Sequence, residues 1–226
     1  MIKNIYEEFN FVFIKRKLLD ISFLDGKYSK FGPPHFYYEF RLLFPMIIED
    51  INFKGNCLFF FLTDRQKEKR NISILFENRS SYSSKKEKNS FINFTFKKEE
   101  DSFSYKDLYL NGDVYIHFDK YDEIFNNIKE DFCSDYKITE KSFLENVTNC
   151  KNKSLANSLY SGSICSGLNK EIILEVFYKL KLTLSIKCNK LTEDEIKDLY
   201  KELSKIAIDV NYKFSHENME KFNWRK

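Results

Sequence analysis

The 226-residue chain has few of the residues that interrupt regular structure: six glycines and three prolines. That scarcity excludes a collagen-like or Pro/Gly-rich low-complexity polypeptide. No glycine-rich phosphate loop and no G-x-S-x-G nucleophile elbow occurs, which removes the commonest sequence signals of nucleotide hydrolases and esterases. The five cysteines, Cys57, Cys133, Cys150, Cys165 and Cys188, are scattered, odd in number and never spaced CxxC. Reduced intracellular thiols are therefore expected in place of a disulfide framework or a zinc site. His35, His117 and His216 stand alone, so no metal centre or other cofactor is expected. No apolar run reaches the roughly 18 residues of a membrane span. The first 24 residues are interrupted by Glu7, Glu8, Lys15, Arg16, Lys17 and Asp20, which rules against a secretory signal and places the chain inside the cell.

Charge is no guide to a partner. The 37 basic and 34 acidic residues leave +3, a sum that a mixed solvated surface also produces. Lys15-Arg16-Lys17, Lys67–Arg70 and Lys85–Lys88 are short basic stretches flanked by acids and read as solvated surface.

What the chain has in quantity is aromatic and apolar residues, with 24 Phe and 14 Tyr. Up to about residue 119 they fall into short strand-like runs: Leu18–Leu24, Ile47–Phe53, Cys57–Leu62, Ile72–Phe76, Phe91–Phe96, Leu108–Leu110 and Val114–Phe118. Asp25-Gly26 and Gly32-Pro33-Pro34 supply turns, and the polar segment Arg79–Asn89 reads as a loop. Phe59-Phe60-Phe61 and Phe91, Phe94 and Phe96 read as core. After Asp119 the period becomes helical. Tyr121–Lys129 and Thr139–Asn149 are short candidates, and Glu171–Leu182 places Ile172, Ile173, Val176, Phe177 and Leu180 on one face. Thr192–Ile208 opens on a capping box of Thr192 and Glu195. The pattern predicts an α+β fold: a β-sandwich of about six to eight strands over residues 1–119, then a helical part over 120–226.

The most specific stretch runs from Ser154 to Ala207. Gly162-Ser163-Ile164-Cys165-Ser166-Gly167-Leu168-Asn169-Lys170 is followed by Glu175-Val176-Phe177-Tyr178-Lys179-Leu180-Lys181-Leu182, then by Leu191-Thr192-Glu193-Asp194-Glu195. In that order these segments resemble the helix–two-turns–helix module of the Fpg/Nei DNA glycosylases, which excise oxidised bases. Three weaker likenesses precede it: Gly26–Lys30 with Pro33-Pro34 and Phe44–Ile51 with Lys54-Gly55, both like virus and protist members, and Asp107–Gly112, where the family has D-x-R-x-F-G. Together they cover roughly residues 14–207.

The resemblance implies a DNA-handling fold but not its chemistry. The family attacks the sugar C1′ with the secondary amine of an N-terminal Pro, assisted by an adjacent Glu. Here Met1 is followed by Ile2 and Lys3, and no Pro-Glu pair occurs in the first thirty residues. The family's hairpin lysine corresponds to Asn56. Its void-filling Arg corresponds to Tyr109 (or Leu110 with a one-residue slip). Its phosphate-binding Asn corresponds to Lys170, with Asn169 on the second Gly position of the turn. The Gln of its QS pair corresponds to Gly162, and no C-terminal zinc finger is present.

The reading is therefore a catalytically inactive Fpg/Nei-type homologue, without a catalytic residue set, metal or cofactor. It acts as a DNA-binding or scaffolding component of a repair, replication or transcription assembly in the nucleus or at a viral or cytoplasmic DNA-processing site. The positions that would touch DNA are Gly167, Asn169, Lys170, Lys54 and Tyr109. Asn169 is also expected to cap the helix that follows it. DNA bound in a salt-dependent way and protein partners are the expected associations; a membrane is not. Two alternatives stay open: an active glycosylase/AP lyase with a relocated nucleophile such as Lys3, and a structural protein-interaction module that does not bind DNA.

Overall fold

The structure is a computed structural model, and it describes residues 6, 9–11, 13–23, 27–75, 80–83, 92–96, 102–107, 112–118 and 125–219. Two compact units divide the chain. One holds Tyr6–Phe53 and Cys57–Glu123; the other takes in Lys54–Asn56 with Ile124–Lys226. The fold is thus mixed, with antiparallel sheets in the first unit and helices in the second.

Nine strands are seen among the described residues: β1 (Lys17–Leu18), β2 (Asp20–Ser22), β3 (Met46–Lys54), β4 (Cys57–Thr63), β5 (Lys69–Leu75), β6 (Ser80–Ser83), β7 (Ile92–Thr95), β8 (Ser102–Asp107) and β9 (Asp113–His117). They form a five-stranded sheet in the order β1-β3-β4-β5-β9 and a four-stranded sheet in the order β2-β7-β8-β6. Two short helices, α1 (Lys27–Phe31) and α2 (Tyr37–Arg41), lie between β2 and β3 in sequence. In β4, Cys57, Leu58, Phe59 and Phe60 are all buried, so both faces of that strand are covered. Strand β9 instead alternates, with Val114 and Ile116 buried and Tyr115 exposed. Phe59, Phe60, Phe94 and Phe96 lie in the core, as the sequence predicts; Phe61 is half-buried, and Phe91 lies outside the described residues. Phe60 packs on Phe94 at 5.1 Å between ring centroids and on Phe9 at 6.0 Å, and Phe13 stacks on Phe96 at 4.8 Å. Each such buried ring contributes roughly 1.5–3 kcal/mol.

Two sequence expectations change. The run Leu18–Leu24 is not one strand: Leu18 pairs with Met46 in one sheet and Ile21 with Phe94 in the other, with Leu19 between them donating its N–H to Thr95 O at 2.8 Å. The segment 79–89, expected as a loop, contains β6, where Ser80–Ser83 pairs with Ser104–Asp107. Serines alternate poorly with apolar residues, so a half-polar strand carries no period-2 signal. Asp25-Gly26 and the expected strand at Leu108–Leu110 lie outside the described residues.

The second unit contains α3 (Glu140–Asn149), α4 (Leu155–Tyr160), α5 (Lys170–Lys179), a 3-10 turn at Cys188–Lys190 and α6 (Glu193–Met219). Of the short candidate at 121–129, residues 125–127 are helical. Each main helix begins on a side-chain cap. Thr139 accepts from Ser142 N in α3, Ser154 from Asn157 N in α4, and Asn169 from Ile172 N in α5. Thr192 and Glu195 complete the expected capping box: Thr192 N donates to Glu195 Oε2 at 2.7 Å, and Glu195 N donates back to Thr192 Oγ1 at 3.3 Å. The apolar stripes of α3, α5 and α6 share one core, in which Phe143, Val147, Val176, Phe177, Leu199 and Leu203 are almost fully buried. No helix of the described residues is long and apolar enough to cross a membrane.

Candidate functional site

The turn Lys54-Gly55-Asn56 joins β3 to β4, and its geometry depends on glycine. Gly55 has φ +60, in the left-handed region that Cβ-bearing residues avoid. Its N–H donates to Asp131 Oδ2 at 2.7 Å. The other oxygen of the same carboxylate accepts from Cys133 N and Ser134 N, both at 2.6 Å. Asp131 is 2% exposed, and a buried carboxylate persists only when its lone pairs are met. Three backbone N–H groups from two distant segments meet them. The backbone of Asp131 closes its own loop, donating to Tyr136 O at 3.2 Å and accepting from Ile138 N at 2.8 Å.

A third segment locks onto the same place. Ser166 N donates to Glu130 O at 2.9 Å, and Ser166 Oγ donates to Lys129 O. Gly167 follows, with φ +79. A Cβ on Gly55 would fall 2.6 Å from Ser166 Oγ, and a Cβ on Gly167 would fall 3.4 Å from both Gly55 Cα and Asp131 Cβ. Lys54–Asn56, Lys129–Ser134 and Ser166–Gly167 therefore form one interlocked assembly within the second unit.

Lys54 is held from inside this assembly. It is 7% exposed, its Nζ donates to Phe125 O at 3.0 Å, and it lies 4.6 Å from the Phe125 ring centroid and 5.5 Å from that of Tyr136. The two rings meet edge-on at 4.5 Å. Burial pushes the amine's pKa down, opposed by the charges of Glu130 and Asp131. The carbonyl and the two ring faces compensate the cation for lost water.

The chain leaves Gly167 through buried Leu168 and enters α5 at Asn169, whose Oδ1 accepts from Ile172 N at 2.8 Å. That is the cap the sequence predicts. Ile172, Ile173, Val176 and Phe177 bury one face of α5, which fixes its axis. Lys170, the first helical residue, is exposed and has no acidic partner among the described residues. An unpaired cation and the partial positive charge of a ten-residue helix thus share one end.

Of the positions singled out from the sequence, Lys54, Gly167, Asn169 and Lys170 lie in this unit, and Gly167 is in contact with the Lys54-Gly55 turn. Tyr109 and Met1–Lys3 lie outside the described residues. Asp131 and Ser166 were not anticipated. The local hint was an Asp followed two and three residues on by amides it caps, an Asx-type turn, but the bond to Gly55 spans 76 positions. Among the described residues no group of three or more His, Cys, Asp or Glu is placed to hold a metal ion.

Compared with solved structures, the chain has the fold of the Fpg/MutM DNA glycosylases. A MutM complexed with DNA containing carbocyclic 8-oxo-G superposes with TM-score 0.75 at 19% identity, over 92% of this chain and 77% of that one. Lactococcus lactis Fpg, non-covalently bound to AP-site DNA, gives TM-score 0.75 at 18% identity over the same shares. The Thermus thermophilus MutM gives 0.73 at 12% identity, over 92% and 73%. No protein-family model matches the chain, and no curated protein does.

Proposed function

We propose that this chain binds duplex DNA without glycosylase chemistry, as a binding or scaffolding component of a DNA-processing assembly inside the cell. The observation that carries the reading is the interlocked assembly of two glycine turns packed backbone on backbone, which leads into α5, where Lys170 is exposed and has no acidic partner among the described residues. It occurs on a fold whose solved examples include DNA complexes. In this reading residues 1–119 form a β-sandwich and residues 120–226 the helix–two-turns–helix part, and the two sheets and the α4–turn–α5 order support that assignment.

The roles follow from chemistry. Lys170 meets a phosphate as a point charge. Gly167, exposed and at φ +79, supplies the left-handed turn that presents its backbone to the duplex. Asn169 aims the end of α5 by capping it. Lys54 contributes by holding the hairpin tip from within, and Tyr109 contributes by stacking on a base. Asn56 is neutral and adds no cation at the tip.

The test is duplex binding by fluorescence anisotropy over a salt series, with borohydride trapping on abasic DNA alongside. Submicromolar, salt-sensitive binding that weakens about tenfold in Lys170→Glu, with no trapped adduct, supports the reading. A trapped covalent adduct establishes an active lyase with a relocated amine. Absence of salt-dependent binding establishes a protein-interaction module.

A further inference from the structure

Four lysines that are scattered in sequence lie on two paired backbone segments of the helical unit. The segment Lys151–Ser154, between α3 and α4, runs beside Leu184–Lys190, between α5 and α6. Asn189 N donates to Lys151 O at 2.9 Å, Cys188 N to Lys153 O at 3.1 Å and Leu155 N to Ile186 O at 2.9 Å. Ser154 and Lys187 form an antiparallel bridge, and Ser154 Oγ donates to Leu184 O at 3.2 Å. Asn189 Nδ2 ties to Asn152 Oδ1 at 2.6 Å. Buried Cys188 and Leu155 pin the two segments to the core.

This pairing brings Lys151, Lys153, Lys187 and Lys190 onto adjacent backbone segments, and all four are exposed. None has an acidic partner among the described residues. The neighbouring side chains Asn152, Ser154 and Asn189 are neutral. The acids nearest in sequence are Glu193 and Asp194, and Lys197 draws on both, at 2.7 and 3.9 Å. Like charges gathered without counter-charge repel one another, and a polyanion removes that repulsion.

We propose that this four-lysine surface is a second phosphate-backbone contact for duplex DNA, separate from the Lys170 turn. It rests on the DNA-binding reading above. The separation follows from α4. The lysine segment precedes its first residue, Leu155, whereas the turn leading to Gly167 follows its last, Tyr160, so about 9 Å of helix lies between them. Phosphates spaced along a duplex suit a row of flexible ammonium groups with no base-reading partner. The surface therefore adds affinity and no sequence preference.

Replacing all four lysines by Gln tests this on the full chain, with Lys170→Glu, an all-Arg version of the surface and unchanged protein run in parallel. The probe is a fluorescent duplex of arbitrary sequence, titrated over a salt series. The Gln variant is expected to keep the melting temperature, lose about tenfold or more in affinity near 0.1 M salt and show a log–log salt slope shallower by roughly 2 or more. The Arg version is expected to bind like the unchanged protein. If the Gln variant keeps both affinity and slope while Lys170→Glu weakens binding, the lysine surface is overturned and the DNA reading stands. If the unchanged protein shows no salt-dependent duplex binding, the DNA reading itself falls and takes the surface with it. Displacement of the duplex by poly-glutamate at equal charge concentration would show an acidic polypeptide to be the partner and overturn the proposal.

Discussion

Gly55 and Gly167 meet backbone to backbone: a Cβ placed on Gly167 would lie 3.4 Å from the Cα of Gly55. Each has a positive φ, +60 and +79 respectively. The hairpin tip and the turn before α5 are therefore held in fixed relation by two residues that have no side chain. Around them the Asp131 carboxylate and Ser166 supply the hydrogen bonds.

The two glycines should not be equally sensitive. Gly55→Ala drives a Cβ to 2.6 Å from Ser166 Oγ and 2.7 Å from Ser166 Cβ, on top of an unfavourable φ. Gly167→Ala meets only ordinary contacts of 3.4 Å and carries the φ penalty alone. Gly167→Ala is expected to cost about 1–2 kcal/mol, and Gly55→Ala about 1–3 kcal/mol more. Denaturant unfolding followed by far-UV circular dichroism checks the order, and equal losses would contradict it.

Asp131→Ala should be among the most destabilising single changes in the helical unit. It leaves the N–H groups of Gly55, Cys133 and Ser134 without their acceptor. Burying unpaired donors costs about 1–3 kcal/mol each where water cannot enter, so a loss of roughly 3 kcal/mol or more is expected. Asp131→Asn keeps one acceptor oxygen and should fall between the two. Amide hydrogen exchange supplies a residue-level readout, with protection lost first at Gly55.

Asn169 and its neighbour separate stability from binding. Asn169→Ala removes the cap accepting from Ile172 N at 2.8 Å and should cost about 1 kcal/mol. Lys170→Gln touches an exposed side chain with no ion-pair partner among the described residues, and its stability should stay within about 0.5 kcal/mol. Duplex affinity should fall with Lys170→Gln although the melting temperature does not. A melting temperature that moved with affinity would make Lys170 a structural residue.

The capping box predicts a pH dependence. Hydrogen bonds from the backbone N–H and then the hydroxyl of Thr192 hold the Glu195 carboxyl below its ordinary value. A depressed folded-state pKa means that the stabilising contribution is fully present above the unfolded-state value, about 4.3. It is lost as pH falls through the lower folded value. Glu195→Ala should therefore melt below the unchanged protein at neutral pH, and the gap should narrow as the solution is acidified through that range. A gap that stayed constant down to strong acid would show that ionised Glu195 plays no part in the cap.

Much of the fold is legible locally. Thr139, Asn169 and the Thr192–Glu195 pair mark helix starts because a cap acts within three residues of itself, so its signal survives in the linear sequence. The buried faces of α5 and β4 are legible for the same reason, since period and apolar run are local properties. Leu18–Leu24 misleads because alternation tells which residues face inward but not which strand they pair with. Ser80–Ser83 is hidden because its pairing with β8 rests on backbone bonds, which serines advertise poorly.

What the sequence determines by itself, then, is the order of sheets and helices, the caps and the aromatic core, together with the resemblance that the solved Fpg/MutM structures support at the level of fold. Tertiary structure alone decides the rest. Asp131 becomes a node only because Gly55 is delivered to it, and Lys54 becomes an internal strut only because Phe125 and Tyr136 arrive around it. Lys151, Lys153, Lys187 and Lys190 come onto adjacent backbone segments only because two loops pair. The reason is physical: buried hydrogen bonds and the summed field of like charges depend on distance in space, and neither has a period that a linear sequence can show.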